Sequence, residues 1–222
     1  RVVVDGVSFA PHTLPDIGAI GADVYLFSLY KTYSVHQGLM VVRNGWLDEL
    51  PNQSHFFNVA VADKRLNPAG PDHAQVAAAG AVLDYVELLH RHHGGGAGDL
   101  RAAVAAVSAL WREHEDSLTP ALLDALAGRD DVRLLGPATL GDGRFHRCPT
   151  IAFSPLDREP AAVAQALVDR GVQTSSGHYY AWRVLDGLGV DPERGVVRLS
   201  FVHYTSPSDV ERAVDALGAV LT

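Results

Sequence analysis

The chain has 222 residues, of which 47% are hydrophobic and 20% are charged, as in a globular protein of one large domain or two small ones. Its net charge of −8 excludes nucleic acid and anionic membrane surfaces as partners, because both select basic patches. The single cysteine, Cys148, excludes an internal disulfide, and no apolar run approaches the ~20 residues of a membrane span, so we expect a cytoplasmic protein.

Three apolar runs near the start of the chain predict strands, at residues 2–4, 24–27 and 39–43. Between the first two, Pro15 can begin a short helix that runs to Gly21, because its fixed φ suits the first helical position. A strand, a short helix and a second strand form a βαβ unit, which implies parallel strands. We therefore predict the end of a mostly parallel sheet in this part of the chain.

Residues 75–93 repeat apolar groups at the spacing of an amphipathic helix, and the glycines that follow indicate a linker. A long helical stretch is predicted from 98 to about 127. Three histidines, His90, His92 and His93, cluster where the first helix ends, but no carboxylate or cysteine stands at a suitable spacing. We predict no metal site there.

The second half of the chain predicts a smaller α+β arrangement. Strands are expected at 133–135, 150–153 and 196–202, with a helix from Pro160 to Arg170. The last strand alternates, which places Arg198 on one face and Val197 and Leu199 on the other. Ser206 is the predicted N-cap of the final helix. The fold class is therefore α/β, with residues 1–96 as the end of a large domain and residues 97–222 as a small C-terminal domain.

Polar groups follow the first two strands at the edge where ligands bind in open α/β sheets. Asp5 ends the first strand, and Ser28, Tyr30 and Lys31 end the second. A partly desolvated amine favours the neutral nucleophile that a Schiff base requires, and a carboxylate nearby suits a pyridinium nitrogen. The alternative is that Lys31 extends to water and Asp5 caps the following turn.

The segments "VDGVSFAPH", "GADVYLFSLYKTYSVHQG" and "GVVRLSFVHYTSPSDVERAVDAL" resemble class V aminotransferases, the group that contains cysteine desulfurases and selenocysteine lyases. The resemblance covers nearly the whole chain and implies fold type I with pyridoxal 5'-phosphate as cofactor. It also implies that the upstream half of the cofactor site would lie before Arg1.

The resemblance implies a role for each residue near the cofactor. Lys31 would form the Schiff base, Asp5 would pair with the pyridine nitrogen, and Ser28 would bind the phosphate. Tyr30 stands where desulfurases often carry a phosphate-binding histidine. Ser8 stands where many relatives have a glutamine bonded to the cofactor phenol oxygen. His12 matches a frequent histidine near the site.

The resemblance also places substrate-binding residues late in the chain. Arg198 would clamp the substrate α-carboxylate with its bidentate fork; the alternative is a salt-bridged strand arginine. His178, with Tyr179 and Tyr180, would form a substrate wall, or else these aromatic residues pack on the small domain. Desulfurases carry a catalytic cysteine in this loop, and Tyr180 occupies its position, while Cys148 is expected to be a buried structural thiol.

We therefore expect an aminotransferase-like enzyme acting on a small-molecule amino acid through Lys31, as a homodimer by resemblance. A cysteine desulfurase or selenocysteine lyase, an epimerase, and a non-catalytic relative that serves as a binding partner remain alternatives. Transfer, elimination and epimerisation share the first step at Cα, so the residues do not choose among them.

Overall fold

A computed structural model describes residues 1–67, 69–96, 98–141 and 147–221. The chain forms two compact units, Arg1–Leu110 and Trp111–Thr222, here called unit 1 and unit 2. The division into a large and a small domain near residue 97 stays a prediction, and Ala97 itself lies outside the described residues.

Unit 1 contains a three-stranded mixed sheet. Its strands, in the order β1-β2-β3, are β1 (Val3–Asp5), β2 (Val24–Ser28) and β3 (Gly38–Val42). β1 and β2 run parallel with Asp5 opposite Leu26, as the βαβ prediction requires. β3 runs antiparallel to β2, because only residues 29–37 join them and a parallel crossover needs about a dozen or more.

The helix α1 between β1 and β2 spans Ile17–Ile20. The predicted start at Pro15 is therefore wrong. Asp16 is the N-cap instead, and its side chain accepts a hydrogen bond from the Ala19 N–H at 3.1 Å. A carboxylate that satisfies a free N–H group defines the start more strongly than the fixed φ of proline does.

Four further helices begin in unit 1: α2 (Asn44–Leu47), α3 (His73–Ala77), α4 (Gly80–His92) and α5 (Leu100–Leu126). The single helix predicted over 75–93 is wrong, because the chain forms α3 and α4 with a break at Ala78 and Ala79. Asp72 starts α3 early by accepting hydrogen bonds from two backbone N–H groups. The predicted long helix is confirmed by α5.

Gly6 directly follows β1 and allows the buried Tyr25 of β2 to pack beneath the turn. A Cβ at Gly6 would lie 2.0 Å from the Tyr25 Oη and 2.1 Å from its Cζ. Tyr25 is only 2% exposed, so its ring cannot swing aside into solvent. The turn that follows Asp5 therefore requires glycine.

Unit 2 is built on a four-stranded antiparallel sheet of order β4-β5-β7-β6. Its strands are β4 (Val132–Leu135), β5 (Thr150–Pro155), β6 (Ser175–Gly177) and β7 (Val196–Ser200). Its own helices are α6 (Pro160–Val168), α7 (Trp182–Gly187) and α8 (Pro207–Val220). The sequence did not predict β6 or α7, because "SSG" is short and polar and α7 has a single buried residue, Leu185.

The two faces of this sheet have different partners. One face forms the main core with α5, α6 and α8; its members include Ile151, Phe153, Leu167, Val197, Leu199 and Leu217. Leu185, Val190 and Val196 form a second small cluster, against which Ala152 and Tyr179 pack. The predicted alternation along β7 is confirmed, and it puts Arg198 on the same strand face as Val196.

A capping box begins α8. The Ser206 hydroxyl accepts from the Asp209 N–H at 3.2 Å, and the Asp209 carboxylate accepts from the Ser206 N–H at 3.0 Å. The predicted N-cap is confirmed. Within the described ranges, no helix is both long enough and apolar enough to span a membrane.

We expect Asp209→Asn to destabilise unit 2 at neutral pH. Hydrogen bonds from Ser206 hold the pKa of Asp209 below its ordinary value of 3.8, so the charged carboxylate favours the folded state. This contribution is complete above 3.8 and is lost as the pH falls further. Thermal unfolding across pH should show the difference from wild type shrinking in acid. Asp215→Asn, an exposed change on the same helix, is the control; an equal effect there would contradict the expectation.

We expect Gly6→Ala to lower the free energy of unfolding by about 1–3 kcal/mol, because the added methyl group overpacks the buried Tyr25 ring. Denaturant unfolding measures the loss. Gly45→Ala is the matched control, since nothing lies within 4 Å of a Cβ at Gly45. Equal stability of the two variants would show that the turn relaxes.

Candidate functional site

Lys31 lies in the closed connection between β2 and β3. The Leu29 N–H donates to the Gln37 carbonyl at 2.8 Å, which joins the two ends of the connection. A single 3-10 turn, Leu29–Lys31, follows β2. The buried Thr32 ends this turn, and its hydroxyl donates to the Ser28 carbonyl at 2.9 Å. Lys31 therefore projects from a fixed turn at the carboxyl end of β2.

Side chains beyond Lys31 attach the same connection to the rest of unit 1. Tyr33 adopts a left-handed backbone with φ of 63°, and its hydroxyl donates to the Pro11 carbonyl. Its ring centroid lies 5.6 Å from that of Tyr85. The Ser34 hydroxyl donates to the Ala78 carbonyl at 3.2 Å. A strained tyrosine held on both sides indicates that the connection is fixed rather than adaptable.

The Lys31 amine lies near an aromatic ring and, among the residues that the structure describes, has no carboxylate within ion-pair distance. Its Nζ lies 5.8 Å from the centroid of the Tyr30 ring, and that ring stacks on His36 at 4.8 Å. Lys31 is half-buried, and among the described residues it forms no ion pair or hydrogen bond through its amine. An amine in this state is available for covalent chemistry.

Asp5 lies at the same edge of the sheet as Ser28, since β1 and β2 are parallel neighbours. Its Oδ1 accepts from the Val7 N–H at 2.9 Å, so the turn-capping contact of the alternative interpretation is present. Within the described parts of the chain, Oδ2 has no partner. The carboxylate is exposed, and one of its oxygens remains able to accept from a ligand.

The two other predicted cofactor residues differ in exposure. Ser8 is exposed in the turn after Gly6, whose carbonyl accepts from the N–H groups of Phe9 and Ala10. His12 is only 2% exposed, so it can reach a ligand only through a small part of its ring.

The donor set of this edge fits pyridoxal phosphate. It provides a primary amine without a competing charge, a carboxylate with an open oxygen, and hydroxyl groups on Ser28 and Tyr30. These are the groups that a carbonyl carbon, a pyridinium nitrogen and a phosphate require. Elsewhere, the described residues contain no cluster of three metal-ligating side chains.

Arg198 lies in the middle of β7, between Ala152 of β5 and Ser175 of β6. Its guanidinium carbon lies 3.9 Å from the centroid of the Tyr179 ring. The interpretation of Arg198 as a salt-bridged strand residue finds no support, because it has no carboxylate partner within 4.0 Å among the residues that the structure describes. Arg198 is half-buried, and no described carboxylate pairs with its charge.

The loop after β6 carries the other predicted substrate residues. Tyr179 and Tyr180 have consecutive left-handed backbones, with φ of 49° and 63°. The Tyr180 N–H donates to His178 Nδ1 at 3.2 Å, and the Tyr180 side chain is fully exposed. The His178 ring lies 5.5 Å from that of Trp182. His178 and Tyr180 therefore lie at an exposed tip.

A glycine contact fixes the start of this loop. Gly195 has φ of 70°, and a Cβ there would lie 2.6 Å from the backbone Cα and carbonyl carbon of Gly177. Gly177 itself has φ of 143°. The two backbones touch directly, so the loop leaves β6 at a defined point.

The sequence placed Tyr179 with His178 and Tyr180 in a substrate wall or packed on the small domain, and the structure shows its ring packed against the small cluster of Leu185, Val190 and Val196. No sequence signal indicated its contact with Arg198, because the contact depends on a left-handed backbone that tyrosine rarely adopts. The alternating pattern of β7 located Arg198 but not the aromatic face opposite it.

Cys148 precedes β5 and is partly buried. Burial, reinforced by the charge of Glu115, raises the pKa of its thiol to about 12. Since the thiolate is the nucleophile, this environment suppresses reactivity at neutral pH.

Comparison with known proteins identifies the family of the chain and its fold. The sequence model described as Aminotransferase class-V matches residues 100–213, a range that contains Arg198 and not Lys31. Aminotransferase-like protein FGM3 of Gibberella zeae is 29% identical over 234 residues, with 99% of this chain and 51% of that protein covered. A probable cysteine desulfurase of Pseudomonas putida is 30% identical, with 97% and 50% covered.

The crystal structure of the cysteine desulfurase CsdA from Escherichia coli has a TM-score of 0.73 at 22% identity, with 99% of this chain and 51% of that chain covered. This likeness shows the shared fold. The chain spans about half the length of the relatives it matches. More than half of it fits the family model, and it belongs to the Aminotransferase class-V family, whose members have fold type I and use pyridoxal 5'-phosphate.

Proposed function

We propose that this chain provides the cofactor lysine and the substrate-binding arginine of an aminotransferase-like enzyme that acts on an amino acid. The observation that carries the proposal is the position of Lys31, a half-buried amine without an ion pair, on a fixed turn beside the Asp5 edge of the sheet. Pyridoxal phosphate, held at Lys31, would supply the electron sink that acidifies the substrate Cα.

In unit 1, different residues would hold the cofactor and activate it. The open Oδ2 of Asp5 would accept from the pyridine nitrogen of the cofactor, and the Ser28 hydroxyl would donate to its phosphate. Tyr30 would offer a second hydroxyl for the phosphate, and Ser8 and the buried His12 would border the site. The Lys31 amine would move the proton of the substrate Cα, because a positioned amine is an effective general base.

Unit 2 supplies recognition of the substrate. The Arg198 guanidinium binds the α-carboxylate, an anion that matches its paired N–H donors. His178 and Tyr180 at the exposed loop tip contact the substrate side chain. We also propose a homodimer in the cytoplasm, as expected from the family resemblance.

The lysine content of the chain makes the proposal directly testable. The chain contains two lysines, Lys31 and Lys64. After incubation with pyridoxal phosphate and reduction with borohydride, mass spectrometry should find the cofactor on Lys31. Lys31→Ala should lose both the adduct and the visible absorbance, because no other amine lies at this edge. Lys64→Ala is the matched control and should retain both.

An adduct on Lys64, or none on either lysine in a folded protein, would contradict the proposal. The second of these results would favour the alternative of a non-catalytic relative that serves as a binding partner.

A desulfurase or lyase acting on cysteine or selenocysteine is the second candidate, favoured by the names of several relatives. A persulfide route through Cys148 is disfavoured by its burial and raised pKa, and Tyr180 holds no sulfur. Elimination without a protein thiol, or epimerisation at Cα, would need only the Lys31 base.

We expect Cys148→Ser to leave turnover of amino acids, and any release of sulfide from cysteine, unchanged, because the buried thiol is not the nucleophile. Assays of sulfide, pyruvate and alanine formation from cysteine measure this, with Lys31→Ala as the inactive reference, because elimination without a protein thiol yields pyruvate and ammonia with the sulfide. Loss of alanine formation in Cys148→Ser, with folding intact, would contradict the expectation and favour a route through the Cys148 thiol.

A further inference from the structure

The contact between Arg198 and Tyr179 is the tightest cation–ring contact described in unit 2, at 3.9 Å from guanidinium carbon to ring centroid. A cation over an aromatic face is attracted by the ring without donating hydrogen bonds to it. Among the described residues, the guanidinium N–H groups have no acceptor. The ring thus holds the group in place and leaves its donors unused.

Tyr179 is itself held from two sides. Its hydroxyl donates to the Ser175 carbonyl and lies 3.1 Å from the Ser175 hydroxyl. Its ring packs against the cluster of Leu185, Val190 and Val196. The hydroxyl contact with Ser175 and the left-handed backbone, with φ of 49°, together restrict the positions that the Tyr179 ring can take.

Ser175 closes the arrangement. It is the cross-strand partner of Arg198 in the β6–β7 pair, and the Thr174 hydroxyl donates to the Arg198 carbonyl at 2.7 Å. Backbone pairing therefore fixes Arg198 relative to Ser175, and Ser175 fixes the ring that lies over the guanidinium. The backbone and the side chain of Arg198 are therefore both held in place through Ser175 of β6.

From this geometry we propose that Tyr179 is a positioning residue that orients the Arg198 fork in advance for a planar carboxylate. The inference rests on the proposed function, because it takes this carboxylate to be the α-carboxylate of the substrate. A long, flexible side chain loses rotamer freedom when it binds a ligand, and orientation before binding reduces that loss. Tyr179 touches the arginine rather than the reacting atoms.

The test uses NMR of the arginine Nε–H group in the full chain. The Tyr179 ring should shift the Arg198 Nε–H signal upfield, and Arg198→Lys assigns the signal by removing it. Tyr179→Leu keeps apolar packing but should abolish the shift. Tyr179→Phe keeps the ring and should retain it. Tyr204→Leu, which removes an exposed tyrosine of unit 2, is the control and should leave the shift unchanged.

Titration with acetate then measures carboxylate binding at the same signal. We expect Tyr179→Leu to weaken acetate binding about fivefold, and Tyr179→Phe to restore most of it, because the ring face supplies the orientation. In enzyme assays, Tyr179→Leu should raise KM more than it lowers kcat.

An unshifted Arg198 signal in the wild-type chain would overturn the proposal, and so would equal acetate affinity in wild type and Tyr179→Leu. Neither result depends on cofactor binding at Lys31, which the borohydride experiment measures separately. The positioning role and the proposed enzyme can therefore fail independently.

Discussion

The hydrogen bond from the Leu29 N–H to the Gln37 carbonyl closes the connection between β2 and β3, and the placement of Lys31 depends on it. Without this bond the connection would be an open loop with many positions for a long side chain. With it, the amine starts from a fixed turn at the carboxyl edge of a parallel strand pair. The antiparallel β3 is therefore part of how the site is built, since its pairing with β2 brings Gln37 back to Leu29.

In each unit, one cationic side chain predicted for the site lies over a tyrosine ring, and no described carboxylate pairs with it. Lys31 lies over Tyr30 in unit 1, and Arg198 lies over Tyr179 in unit 2. Such contacts contribute about 0.5–2 kcal/mol, enough to bias orientation, and they leave the hydrogen-bond donors open. A carboxylate partner would compete with any anionic ligand. The aromatic ring therefore positions each charged group and leaves its hydrogen-bond donors able to bind a ligand.

The sequence predicted some features that depend on periodicity or on a single cap, and failed for the helix over 75–93 and the start at Pro15, where Asp72 and Asp16 define the helix starts instead. The alternation around Arg198 and the Ser206 N-cap were both predicted, because side-chain spacing and capping chemistry are local. The left-handed tyrosines at 33, 179 and 180 were not predictable, since tyrosine has no preference for that backbone, and each carries strain of about 1–3 kcal/mol that tertiary contacts must offset. The contact of Tyr179 with Arg198 depends on that strain, so it could be seen only in the structure.

The backbone contact between Gly177 and Gly195 has a consequence for how this loop can diversify. It fixes where the loop leaves the sheet, while the Tyr180 side chain at the tip is fully exposed and has its ring centroid 6.4 Å from that of His178. The start of the loop tolerates almost no change, yet the tip tolerates any residue that accepts its backbone. The side chain at position 180 can therefore be exchanged during evolution at little cost in stability, with the scaffold left as it is.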